Sequence, residues 1–157
     1  MPLKQTFVTA LTDVWTNAAD KADKAGDVRW EGNKCYKCVQ YDSGAGAIAA
    51  IVGRMAAYYL DAGYQNNQVT LDTSDGREIG AGLLMSAPLD GQFCWVQIKG
   101  LATITVALVA GAAGDPLTLT GATADNGSLD LTAAVTDHVC AYAVVPATPT
   151  IILDCPF

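Results

Sequence analysis

Charge is what this sequence has least of. Only 16% of its 157 residues are Asp, Glu, Lys or Arg, against about 25% in an ordinary soluble protein. Hydrophobic residues make up 51%. Such a chain has little with which to cover a monomer's surface, so part of that surface is expected to be buried against another protein. Basic residues are scarcer still, nine Lys and Arg against sixteen Asp and Glu, for a net charge of −7, and none follows Lys99. The missing basic stripe argues against a nucleic-acid partner and disfavours docking on anionic lipid. No uninterrupted apolar run reaches the roughly 18 residues a membrane helix needs. The N-terminal MPLKQTFVTALTDVW lacks the apolar core of a secretion signal, because Thr9, Thr12 and Asp13 interrupt it.

Metal ligands and catalytic pairs are as sparse. There is one histidine, His138, and five cysteines, of which only Cys35 and Cys38 are closely spaced. A structural zinc site needs four ligands, and no second Cys-x-x-Cys pair is present. On a strand, residues i and i+3 also point to opposite faces, which is poor chelating geometry. The cysteines are therefore expected as reduced core thiols, with no metal and no cofactor. His138 lies beside Asp137 in sequence and reads as a strand-end residue bonded to its turn. Gly44-Ala-Gly46-Ala-Ile-Ala49 fits the letters of a dinucleotide fingerprint, but that motif requires a helix and parallel βαβ units after it. The later chain is β throughout, so the glycines read as a flexible β–β loop. The carboxylates, among them Asp72, Asp75, Asp90 and Asp137, fall in turns and suit turn hydrogen bonding. No small-molecule substrate and no enzymatic activity is expected.

What the chain does have is strands. In Phe93–Val109, Cys94, Val96 and Ile98 alternate with Trp95, Gln97 and Lys99; after a hinge at Gly100, Ile104, Val106 and Leu108 alternate with Thr103, Thr105 and Ala107. Period-two alternation of β-branched and aromatic residues is the mark of half-buried strands. The same grammar predicts strands at 27–31 and 34–42 around the turn Gly32-Asn33, and then at 54–60, 69–73 and 79–85. Beyond the two central runs it predicts strands at 116–120, 129–131, 138–145 and 150–155. Gly80 and Gly82 within IGAGLLM are placed to let another backbone come close, and Tyr64–Asn67 reads as a polar loop. Short strands at this spacing predict an all-β fold, a barrel or sandwich of short antiparallel strands over residues 27–157.

Residues 1–26 differ. Phe7, Leu11, Val14 and Ala18 recur at helical spacing, so this N-terminal arm has room for a short helix, and its large apolar residues are natural anchors. The docking candidates are Leu3, Phe7, Val8, Leu11 and Trp15, with Trp30 of the first strand. Trp95, Gln97, Ile104 and Val106 are the candidates for an interface between copies.

The segments GREIGAGLLMSAP, DGQFCWVQIKGLATITVAL, AGDPLTLTGA and HVCAYAVV resemble the capsid decoration (cement) proteins of tailed bacteriophages. That resemblance implies a homotrimer bound to the major capsid protein on the outer surface of the virion, assembled in the host cytoplasm and reinforcing the head without catalysis. A head-fibre or receptor- or carbohydrate-binding β module is the alternative. It calls for a clustered, exposed aromatic patch, whereas the aromatics here are dispersed in sequence.

Overall fold

The computed structural model describes residues 7–16, 23–60, 63–120 and 127–156, with the backbone alone for Arg77 and Glu78. The strands are β1 (Val28–Glu31), β2 (Lys34–Tyr41), β3 (Met55–Tyr59), β4 (Gln68–Thr70), β5 (Gly76–Leu84), β6 (Phe93–Thr103), β7 (Pro116–Leu119), β8 (Leu129–Leu131), β9 (Ala141–Val145) and β10 (Thr150–Asp154). A one-turn helix, α1 (Gly63–Asn66), stands where a polar loop was expected. The fold is nearly all β, as the alternation predicts.

All ten strands belong to one sheet in the order β1-β2-β4-β3-β5-β6-β10-β9-β7-β8, and β2 also pairs with β6. That extra pairing returns the sheet on itself, closing β2, β4, β3, β5 and β6 into a five-stranded ring. Closure leaves the ring itself without an open edge, and the ends of the sheet are the short β1 and β8. One pairing is parallel rather than antiparallel: Gln40 and Tyr41 of β2 lie beside Gln68 and Val69 of β4. The reason is the connection over residues 42–54. It carries the chain past one strand position, and β4 hairpins back from β3 into the gap.

β6 holds the molecule together. Its first half pairs with β2 from Phe93 to Lys99, and Val96 and Gln97 pair with β5 on the other edge. From Lys99 to Thr103 it pairs instead with β10, from which β9, β7 and β8 continue. The expected hinge at Gly100 is thus a change of partner within one strand. Gly100 takes φ +93°, and a Cβ there would sit 2.6 Å from the carbonyl oxygen of Asn33. The Gln97 amide donates to the carbonyls of Lys99 and Leu101, 3.1 Å each, and satisfies the backbone across the bend. Gly100→Ala combines an unfavourable backbone region with a backbone clash and is expected to cost about 1–3 kcal/mol, read as a lowered denaturant midpoint.

The second half of the central stretch departs from expectation. Ile104–Leu108 keeps its alternation, with Ile104 buried and Val106 and Leu108 packed against the core, but it forms no strand. Its amides bond irregularly instead, Ile104 to the Pro149 carbonyl and Thr105 to that of Gly53. Alternation reports which side chains face inward; whether a ladder forms depends on an adjacent strand being in register. Likewise β9 begins at Ala141, three residues later than predicted.

One large cluster fills the ring and continues under the β10–β9–β7–β8 extension, from Tyr41, Met55 and Tyr58 to Leu117, Leu129 and Ile151. Gly82 belongs to its wall. With φ +140° and a Cβ position 2.7 Å from the Gln97 carbonyl, it allows β5 and β6 the close approach expected there.

Candidate functional site

The arm docks on its own chain. Phe7, Leu11 and Trp15 pack with Phe93 and Met85 around Trp95, Tyr36 and Cys38, a satellite core on the outer face of β2 and β6. The described part of the arm is irregular rather than helical, with a turn at residues 10–13 in which the Asp13 amide donates to the Ala10 carbonyl at 3.1 Å. Beyond it Trp15 bridges to Phe93 as an isolated antiparallel pair, exchanging two backbone hydrogen bonds of 3.2 and 2.7 Å. Phe7 meets Trp95 edge to face with ring centroids 5.7 Å apart, and Trp15 stacks on Phe93. Edge-to-face and offset-stacked geometries are the favoured ones for aromatic pairs.

A buried polar knot fixes the register. The Asp23 carboxylate accepts from the amides of Val8 (3.1 Å) and Thr9 (2.8 Å) and from the Thr9 hydroxyl. The Thr9 hydroxyl accepts in turn from Trp95 Nε1 at 2.8 Å, and the Thr9 carbonyl accepts from the Arg29 guanidinium at 2.9 Å. Arg29 also lies over the Phe7 ring and pairs with Glu31. Thr9 and Asp23 are both buried; with every partner present the knot is affordable, and with one missing it is not.

The structure separates the sequence candidates. Phe7, Leu11 and Trp15 face the chain itself, whereas Val8 and Trp30 are exposed, at 60% and 57%. Leu3 and Ala18 lie outside the described residues. Of the proposed inter-copy residues, Trp95 is covered by the arm, Gln97 is occupied at the bend, and Ile104 and Val106 belong to the core. In this packing none of the four presents a broad surface to another copy.

The candidate chemistry resolves into structure. Cys35 faces the main core and Cys38 the arm, on opposite faces of β2. Among the described residues no group of three or more His, Cys, Asp or Glu is placed to hold a metal ion. The glycine loop after β2 makes no helix, and its amides are taken: Gly46 N–H donates to Asp72 and Ala45 N–H to Asp75. A phosphate would meet carboxylates there. Asp72 is held below its ordinary value chiefly by its hydrogen bond from Ser74. Asp137 accepts the amides of Ala133 and Ala134, which lower its pKa, and no hydrogen bond to His138 is formed. A hollow of about 380 Å³ beside this loop is lined by Tyr41, Ile48, Ala50, Pro88 and Leu89 among others, and by Ser43, whose hydroxyl and amide both donate to Asp90 as turn hydrogen bonds, 3.1 and 2.9 Å.

The surface that stands out is apolar. In β9, Ala141 and Ala143 turn to the core and the larger Tyr142 and Val144 turn outward. Tyr142 lies opposite Ile152, and Ile152 opposite Leu101, so the three form a row across β9, β10 and β6. All three are exposed, at 43%, 47% and 48%. Beyond the row, Lys99 pairs with Asp154, cancelling the charge beside it. On β10, Ile151 and Leu153 turn to the core, while Ile152 stands on the outward face between Thr150 and Asp154. None of the three residues of the row is among the docking or inter-copy candidates of the sequence, although AYAVV carries a signal, with the large Tyr142 and Val144 alternating with alanines.

No protein-family profile matches the chain, and no curated protein matches it in sequence. Among solved structures the fold is similar to the N base of head fiber gp8.5 of bacteriophage phi29, with 16% identity, a TM-score of 0.50, and coverage of 76% of this chain and 92% of that one.

Proposed function

We propose that this chain is a structural protein of a phage head, a β module that docks on the outer surface of the capsid shell. The observation that carries this reading is the fold likeness to a head-fibre base, nearly all of whose chain is matched. The partner we assign is the major capsid protein, and the contact is the Leu101–Ile152–Tyr142 row with Val144. Two features support that surface. The row is apolar and its flanking Lys99–Asp154 pair is self-neutralised, as suits the depleted charge of an interface core. Repetition on a lattice also lets modest contacts add up. The activity is binding, without turnover, and we take a homotrimer as its working form.

A second reading, the base of a head fibre, is favoured by the same likeness. The two differ in consequence: a decoration protein reinforces the shell, whereas a fibre base anchors a projecting part.

Heads assembled without this protein, mixed with the purified chain and sedimented, test both. Saturable co-sedimentation at a fixed copy number is expected, weakened at least tenfold by Ile152→Asp with the melting temperature little changed. Heads that gain heat resistance on binding support the decoration role; binding without reinforcement moves the fibre base forward. Absence of binding by the folded chain overturns both.

A further inference from the structure

The five thiols are not equivalent. Cys140 sits just before β9 and Cys155 just after β10, so the two flank the open end of the β9–β10 hairpin. The Cys155 thiol reaches Cys140 itself, donating to its carbonyl at 3.6 Å, while the Cys140 thiol donates to the Leu117 carbonyl at 3.7 Å. A second observation places both sulfurs against one point of β5. A Cβ built on Gly80 would lie 3.1 Å from Cys140 Sγ and 3.7 Å from Cys155 Sγ. Gly80 leaves the room into which the pair packs. Cys38 and Cys94 make a useful contrast, being on neighbouring strands but on opposite faces, one under the arm and the other in the main core.

We propose that Cys140 and Cys155 are a disulfide site, closed by a low-molecular-weight disulfide when the protein meets an oxidising medium. The exchange balances in two steps. One thiol of the pair, deprotonated, attacks a sulfur of oxidised glutathione, forming a mixed disulfide and releasing one glutathione thiolate. The other protein thiolate then displaces the second glutathione. Two protein thiols lose two electrons, one disulfide is reduced to two thiols, and the two protons pass to the leaving thiolates.

Both sulfurs are buried. The hydrogen bond to Cys140 and burial hold the Cys155 thiol well above its ordinary value. Reaction therefore waits on local opening, which is easiest at strand ends such as these. The cross-link ties the residue before β9 to the residue after β10, at the open end of the hairpin that carries Tyr142 and Ile152. Its use to a head protein, which leaves a reducing cytosol at lysis, rests on the reading above; the chemistry does not.

The test is made on the full folded chain with oxidised glutathione at mild alkaline pH. Free thiols are alkylated, and mass and linked peptides are then read. The expected result is a fall from five free thiols to three, one linked peptide pair containing Cys140 and Cys155, and a melting temperature higher by roughly 5–10 °C, reversed by dithiothreitol. Cys140→Ser and Cys155→Ser must each abolish the internal link while the chain still folds. Five thiols persisting in the folded chain, a stable glutathione adduct that never closes, or a link through Cys38 and Cys94 overturns the proposal. Head binding is unaffected as a readout, so either idea can fail alone.

Discussion

Trp95→Ala is expected to cost about 3–5 kcal/mol, the range for truncating a fully buried large aromatic. Against a total stability of about 5–15 kcal/mol, that is enough to bring the protein close to its unfolding threshold. The size of the effect follows from what the indole holds. It is fully buried, meets Phe7 edge to face, and its N–H is the donor to the Thr9 hydroxyl. Removing it leaves a cavity between β6 and the arm and takes one partner from a buried polar knot. The loss therefore has two parts, a fall in global stability and a release of residues 7–16. Urea unfolding reads the first. Hydrogen exchange reads the second, because the Trp15 amide is protected by the Phe93 carbonyl and should exchange much faster once the arm lifts. Val8→Ala is the control. Its side chain is largely exposed, and its removal should stay within about 0.5 kcal/mol. Equal damage from both would mean that the arm is not seated as described.

The arm also shows what could be read in advance. Phe7, Leu11 and Trp15 are spaced by four, which fits one face of a helix, yet an irregular backbone with a turn at residues 10–13 brings the same three to one satellite core. Spacing therefore picked the right anchors and could not choose their backbone. The deciding residues were the polar ones between. Thr9 is buried because Asp23 and Trp95 meet it. One partner lies 14 residues away in sequence and the other 86, so no local pattern announces the knot. The same limit applies to Trp95 itself. Alternation separates Trp95 and Gln97 from Cys94, Val96 and Ile98, and the structure keeps that separation. It does not say whether the outer face is covered by a second copy or by the chain's own arm. In β9 the message was plainer, since Tyr142 and Val144 put large side chains on the face opposite the small Ala141 and Ala143. Their exposure depends on which strand β10 pairs with, and that is fixed by the bend at Gly100, a tertiary fact.

Raising the pH above about 9 is expected to unfold the protein under reducing conditions, through buried acids that cannot ionise in place. Burial pushes the Cys94 thiol up to about 12 from 9.0. The Tyr41 hydroxyl is likewise moved to about 12 from 10.0, chiefly by burial. Cys35, Cys38 and Tyr58 are raised by the same cause. The sign follows from proton counts. Above the unfolded values the unfolded chain has released protons that the folded chain still holds. Stability is then fully present below the unfolded pKa and is lost as pH rises toward the folded one. Cys94 alone removes about 2–3 kcal/mol by pH 11, two units above its unfolded value, and the other raised groups pull the same way. Lys37 opposes them. Its ammonium is buried beside the Tyr58 hydroxyl, 3.0 Å away, and faces the rings of Tyr58 and Tyr64. Burial lowers its pKa from 10.5, so the unfolded chain binds that proton more tightly, and stability on this account rises as pH climbs through the lowered value toward 10.5. The combined profile should hold level or rise slightly to about pH 9 and then fall steeply. Denaturant midpoints taken at successive pH values, with reductant present, would trace it. Cys94→Ala should flatten the falling limb by nearly one proton, and Lys37→Met should remove any rise before it. A midpoint that stays constant to pH 11 would mean that these thiols and hydroxyls reach water in the folded state, and the core described here would be wrong.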